Sequence, residues 1–235
     1  MSPRRRPRNK RCWQCGVEAT TKDHIVPRNL YPKRTQAQLL TLPCCDTCNQ
    51  GLSKDEEYFR LVMLADWNIN EVGRRVFEES VVPSLHKGFE GLRMRALSES
   101  RPISLPVGGS FVDTGLWSLD SNRLNRVAEK IVRGLYFRMS GQPMAPDMKF
   151  QFQLRPDDEL RELILKTPWH PRPVVIDPEI FIARHRIARN ESGQEASGWL
   201  LIFYRCVPYF VVAMSSDLQR ATDLDAVPNS APVEV

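Results

Sequence analysis

The chain has 235 residues, 42% of them hydrophobic, and its 33 Lys and Arg against 28 Asp and Glu give a formal net charge of +5. This is enough apolar content for a real core, in one large domain or two small ones. The longest apolar runs, around Leu200 to Tyr204 and Tyr209 to Met214, fall far short of the ~20 residues of a membrane helix, and the positive excess favours a polyanionic partner.

Residues 1–11, MSPRRRPRNKR, have no apolar segment behind their charge and so do not read as a secretory signal; the expected location is cytoplasmic. Arg4, Arg5, Arg6 and Arg8, with Lys10, Arg11 and two prolines, predict a flexible basic arm. Such an arm can lie along a phosphate backbone and gain affinity by counterion release; the bland alternative is a solvated tail that aids solubility.

Four of the six cysteines form two Cys-x-x-Cys knuckles, CWQC and CDTC. Without an export signal this spacing points to tetrahedral zinc in a reducing cytosol and away from a disulfide set. The expected ligands are Cys12, Cys15, Cys45 and Cys48. Cys44 is adjacent, but only Cys45 stands two residues from Cys48. Trp13, inside the first knuckle, is expected to pack over the zinc site.

The connection between the knuckles is longer than a zinc ribbon needs and carries Asp23 and His24, while Asn49 directly follows the last cysteine. Hydrolysis of a phosphodiester needs a metal to neutralise charge on the phosphate and leaving oxygen, and a base to take a proton from water. A hard cation such as Mg²⁺ or Mn²⁺ prefers oxygen ligands and keeps some waters, so Asp23 and Asn49 suffice as the protein's share. His24 titrates near neutrality and can be the base. If 20–25 is a strand, Asp23 and His24 point to opposite faces unless the strand ends there, which Pro27 favours. Arg28, Lys33 and Arg34 are expected near the scissile phosphate.

Ser53 and Glu56 have the spacing of a capping box, predicting a helix from Ser53 to about Trp67, with Asp55, Glu56 and Glu57 favoured by the dipole of its first turn. A second helix is expected over 71–85. Prolines and glycines break up residues 98–118, which read as a linker between a nuclease-like module (12–97) and a second domain (119–221).

The strongest helix is predicted over 121–139, with Leu124, Val127, Ala128, Ile131, Val132, Leu135 and Tyr136 on one buried face. Arg123, Arg126, Lys130 and Arg133 fall together on the other side, either as a phosphate-tracking stripe or as a solvated face. A strand around Phe150, Phe152 and Leu154, a helix over 157–166 and strands at 179–189, 198–205 and 208–214 follow. The expected class is α+β, a zinc-bound module followed by helices and a mainly antiparallel sheet. His86, His170 and His185 read as structural or surface residues, His185 with neighbouring arginines that could touch nucleic acid. Cys206 is expected to be a small buried residue, and residues 222–235 a disordered tail.

The ordered set CWQC, DHIVP and CDTCN resembles the HNH, or ββα-metal, endonucleases, particularly their zinc-bound branch, over roughly the first 55 residues. The resemblance implies a strand pair and helix gripping one divalent ion, with Asp23 and Asn49 as ligands and His24 as general base, and DNA cleaved to a 3′-hydroxyl and a 5′-phosphate. Many members carry Asn where this chain has Leu40, which puts the orientation of His24 in question; a backbone carbonyl or Gln38 could substitute. Two rivals stay open: a non-catalytic zinc-ribbon DNA-binding protein, and a conditional nuclease of a toxin or phage-defence system. The oligomeric state, a homodimer included, also stays open.

Overall fold

The computed structural model describes residues 11–66, 68–83, 101–107, 110–116 and 119–218, with the backbone alone over 101–116. Arg4, Arg5, Arg6 and Arg8 of the basic arm, His86 and the tail lie outside the described residues, while Arg11 donates to Gly16 O at 3.1 Å. The class is α+β, as expected. A short hairpin pairs β1 (Thr21–His24) with β2 (Thr41–Cys44). Two helices follow at once, α1 (Asp46–Gly51) and α2 (Ser53–Leu64), and then α3 (Glu71–Val76), which continues as a π-helical turn over Phe77–Val81. β1 ends where Pro27 predicts, and Pro27 caps the 3₁₀ turn Arg28–Leu30.

The capping box does not form. Leu52 occupies the N-cap of α2, because the chain enters that helix straight from α1; Ser53 Oγ donates back to Gln50 O at 2.7 Å. Glu56 is drawn away to Lys130. Residues expected as a plain linker contain a hairpin, β3 (Arg101–Val107) with β4 (Ser110–Leu116). Both strands are edges, where Pro102 and Pro106 need not donate to a ladder.

The long helix α4 (Ser121–Ser140) starts at an Asp120 cap and ends at Gly141, whose φ of 71° is the left-handed turn that glycine adopts without strain. Beyond it β5 (Lys149–Leu154), β6 (Val174–Asp177), β7 (Phe181–Arg189), β8 (Glu195–Phe203) and β9 (Val207–Met214) build an antiparallel sheet in the order β5-β9-β8-β7-β6, and α5 (Asp158–Lys166) links β5 to β6. β6 escapes sequence reading because four residues behind two prolines carry little pattern. No helix among the described residues is long and apolar enough to cross a membrane.

One cluster of buried residues runs from Cys12 to Ala213. Phe59 of α2 meets Phe203 edge-on at 5.3 Å and Tyr209 at 6.1 Å, and Tyr204 donates its hydroxyl to Leu30 O at 2.6 Å. A Cβ at Gly134 would sit 3.0 Å from Ile25 Cγ2, so the glycine lets α4 press against the residue that follows His24. Phe59→Ala is expected to cost about 3–5 kcal/mol. Because the core is shared, far-ultraviolet dichroism and tryptophan fluorescence should report a single transition moved to lower denaturant. Two transitions with only one displaced would contradict a common core.

Candidate metal centre and the Asp23 cluster

The Sγ atoms of Cys12, Cys15, Cys45 and Cys48 all lie within 4.8 Å of one another, with Cys15 and Cys45 at 3.7 Å. Four sulfurs about 2.3 Å from a tetrahedral zinc would be roughly 3.8 Å apart, so the donor set and its spacing fit structural Zn²⁺. Local backbone builds the site. In the first knuckle Gly16 N bonds Cys12 O at 2.9 Å and Gly16 takes a φ of 77°. In the second, Cys45 caps α1 and its sulfur accepts from Cys48 N. Trp13 N to Pro43 O at 3.0 Å joins the first knuckle to β2.

Cys44 is fully buried, with its sulfur 3.7 Å from that of Cys12, and it stays outside the four-sulfur group. Burial pushes its thiol up, as it does that of Cys48, whereas backbone amides of Cys15, Cys45 and Gln14 outweigh burial at Cys12 and bring it down to about 6. A metal bound here would therefore release a proton from Cys48, whose thiol is held protonated by burial.

The expected catalytic residues lie on the two elements next to this centre, Asp23 and His24 at the end of β1 and Asn49 on α1. Thr21 and Asp23 share one face of β1, and Asn49 on α1 donates Nδ2 to Thr21 Oγ1 at 3.1 Å. The Asn49 Oδ1 has no protein partner among the described residues. Asp23 is only 3% exposed: its Oδ1 receives Lys130 Nζ at 2.6 Å and its Oδ2 receives Gln14 Nε2 at 3.2 Å. The oxygen donors suit a hard cation, yet the Asp23 carboxylate already has a cation beside it.

His24 is half-buried and its ring makes no hydrogen bond among the described residues. Burial lowers its pKa, Arg28 and Lys130 add to the shift and Asp23 opposes it, which favours the neutral, proton-accepting ring. Leu40 offers its backbone: Ile25 N donates to Leu40 O at 3.0 Å and fixes the chain just after His24. Gln38 is exposed.

Arg28 is committed to its own loop, donating to Tyr31 O, Pro32 O and Lys33 O, while Lys33 and Arg34 are exposed. Trp13 is buried, its ring 6.4 Å from that of Phe137. It borders a cleft of about 560 Å³ together with Gln14, Leu52, Lys130 and Met144.

The α4 stripe is not a free basic track, since its cations are paired with acids while Arg126 still reaches solvent. Arg123 and Arg126 both hold Asp55 at 2.8 Å, Lys130 holds Asp23 and Glu56, and Arg133 holds Glu129. The acidic partners come largely from α2, more than 60 residues earlier in the chain, so each helix read alone gives no sign of the pairing. A basic residue amid apolar neighbours in the strongest helix was the available hint.

His185 lies in a row of rings across the sheet, stacked on Trp199 at 5.3 Å and on His170 at 4.8 Å. Burial first, then His170, lowers its pKa below the ordinary 6.5. Cys206 is half-buried near the β8–β9 turn.

Protein purified with its thiols reduced is expected to hold about one zinc per chain, and Cys48→Ser to lose it; metal analysis finding no zinc in the parent would refute the four-thiolate site. The folded-state pKa of His185 is below the unfolded one, so the unfolded chain takes up the proton first as pH falls through 6.5 and stability drops on the acid side. His185→Phe should flatten that fall in melting temperature, and an unchanged slope would count against its burial as the cause.

Comparison with family models, with curated proteins and with solved structures gives no match.

Proposed function

We propose that the protein is a metal-dependent DNA endonuclease of the HNH type, with a structural zinc. The observation that carries this reading is the order and pairing of the elements around the cysteines. An antiparallel β1–β2 hairpin, ending in Asp23-His24, is followed by α1, which links Asn49 to Thr21. A zinc on Cys12, Cys15, Cys45 and Cys48 would tie both knuckles and hold α1 against the hairpin.

A divalent ion taken by Asp23 and Asn49 would neutralise charge on the phosphate and on the leaving oxygen. His24 accepts a proton from water as the water oxygen bonds to phosphorus. The bond from phosphorus to the 3′-oxygen breaks and that oxygen takes a proton from solvent water, leaving a 3′-hydroxyl and a 5′-phosphate. Burial keeps the imidazole neutral for this task, and the exposed Lys33 and Arg34 are available to the DNA backbone.

One observation favours the rival, a zinc-ribbon DNA-binding protein without catalysis: both oxygens of Asp23 are occupied by protein groups. Supercoiled plasmid with Mg²⁺ or Mn²⁺ separates the two readings. The parent is expected to nick it and His24→Ala to lose at least about a hundredfold in rate, with both proteins equal in fold and zinc content. Equal nicking by the variant would remove His24 as the base. DNA retardation without any nicking by the parent would favour the rival.

A further inference from the structure

Lys130 is a buried charged group that the reaction just outlined does not use. Its side chain is 4% exposed, and it comes from the middle of α4, 107 residues after Asp23. The ammonium has three N–H groups; one meets Asp23 Oδ1 at 2.6 Å and another meets Glu56 Oε1 at 2.5 Å. Glu56 is itself poorly hydrated: burial raises its pKa, and Lys130 is the charge that opposes this. With both carboxylates ionised, the trio carries one net negative charge.

We propose that Lys130 is a positioning residue that holds the Asp23 carboxylate in place and competes with a divalent cation for it. This inference rests on the nuclease reading, in which Asp23 is an ion ligand. The ammonium sits where a cation would find its best oxygen, and two cations on one carboxylate oxygen repel strongly in a poorly hydrated site. Glu56 makes the arrangement reversible. When an ion draws Asp23 Oδ1 away, Lys130 keeps a carboxylate partner and is not left as an unpaired buried charge. The cleft reaches the residues that hold the two oxygens of Asp23, since Gln14 and Lys130 both line it. α4 thereby connects the sheet to the ion's ligand through one side chain.

Direct Mn²⁺ binding by electron paramagnetic resonance, on the full zinc-loaded chain without DNA, tests the competition. Lys130→Met alone leaves two buried carboxylates unpaired and is liable to unfold, so the informative protein is Lys130→Met with Glu56→Gln. That pair of changes leaves the cluster at one net negative charge, so a change in affinity reports the freed Asp23 oxygen and not overall charge. The double variant, folded by circular dichroism, is expected to bind Mn²⁺ at least about tenfold more tightly than the parent, and Lys130→Arg to stay close to the parent. Equal or weaker binding by the double variant overturns the role of Lys130, and leaves the nuclease reading standing if the parent still nicks plasmid. No Mn²⁺ on either protein overturns both the competition and the assignment of an ion to Asp23.

Discussion

Four sulfurs drawn to within 4.8 Å of one another are the constraint on which the N-terminal half depends. Strands of four residues and a six-residue helix cannot hold themselves together, because an isolated short hairpin or helix is marginal in water. The cysteines convert them into a unit, since one cluster fixes the turn before β1 and the helix after β2 at once. The same tie carries Asn49 to Thr21, one pleat away from Asp23. If the thiolates are released, the relation between β1 and α1 rests on a few hydrogen bonds.

α4 is the second organiser, and it acts through both of its faces. Its apolar side is continuous with the core beneath the sheet. Its basic side meets α2 and β1, where Asp55, Glu56 and Asp23 receive Arg123, Arg126 and Lys130. Exposed pairs of this kind contribute little. The buried pair of Lys130 and Asp23 is different in consequence: removing Lys130 leaves the Asp23 and Glu56 carboxylates without their counter-ion, at a cost of about 3–5 kcal/mol. That asymmetry specifies how α4 sits on the hairpin more than it adds net stability.

Charge therefore has two fates in this chain. On α4 the cations face acids from α2 and β1, so a helix that looks suited to phosphate is spent on internal pairing. Lys33 and Arg34 remain exposed in the loop after β1. For a nucleic-acid partner the loop after β1 is a more accessible basic surface than the paired stripe of α4.

Local pattern was enough to read much of this molecule from sequence. The Cys-x-x-Cys spacing gave the four ligands and preferred Cys45 over Cys44, because ligand geometry within a knuckle is a matter of a few residues. The apolar rhythm of 121–139, the alternation at 150–154 and the nearly continuous apolar runs at 198–205 and 208–214 gave α4 and most of the sheet, because a buried face leaves its mark in the local sequence. What only the tertiary structure decided involves partners distant in sequence. Glu56 looked like a cap residue and Lys130 like part of a surface stripe; their meeting with Asp23 depends on α4 crossing the hairpin, which Gly134 allows by leaving room for Ile25. The fusion of both halves through Phe59, Phe203 and Tyr204 was equally invisible, since burial against a distant element leaves no spacing to read.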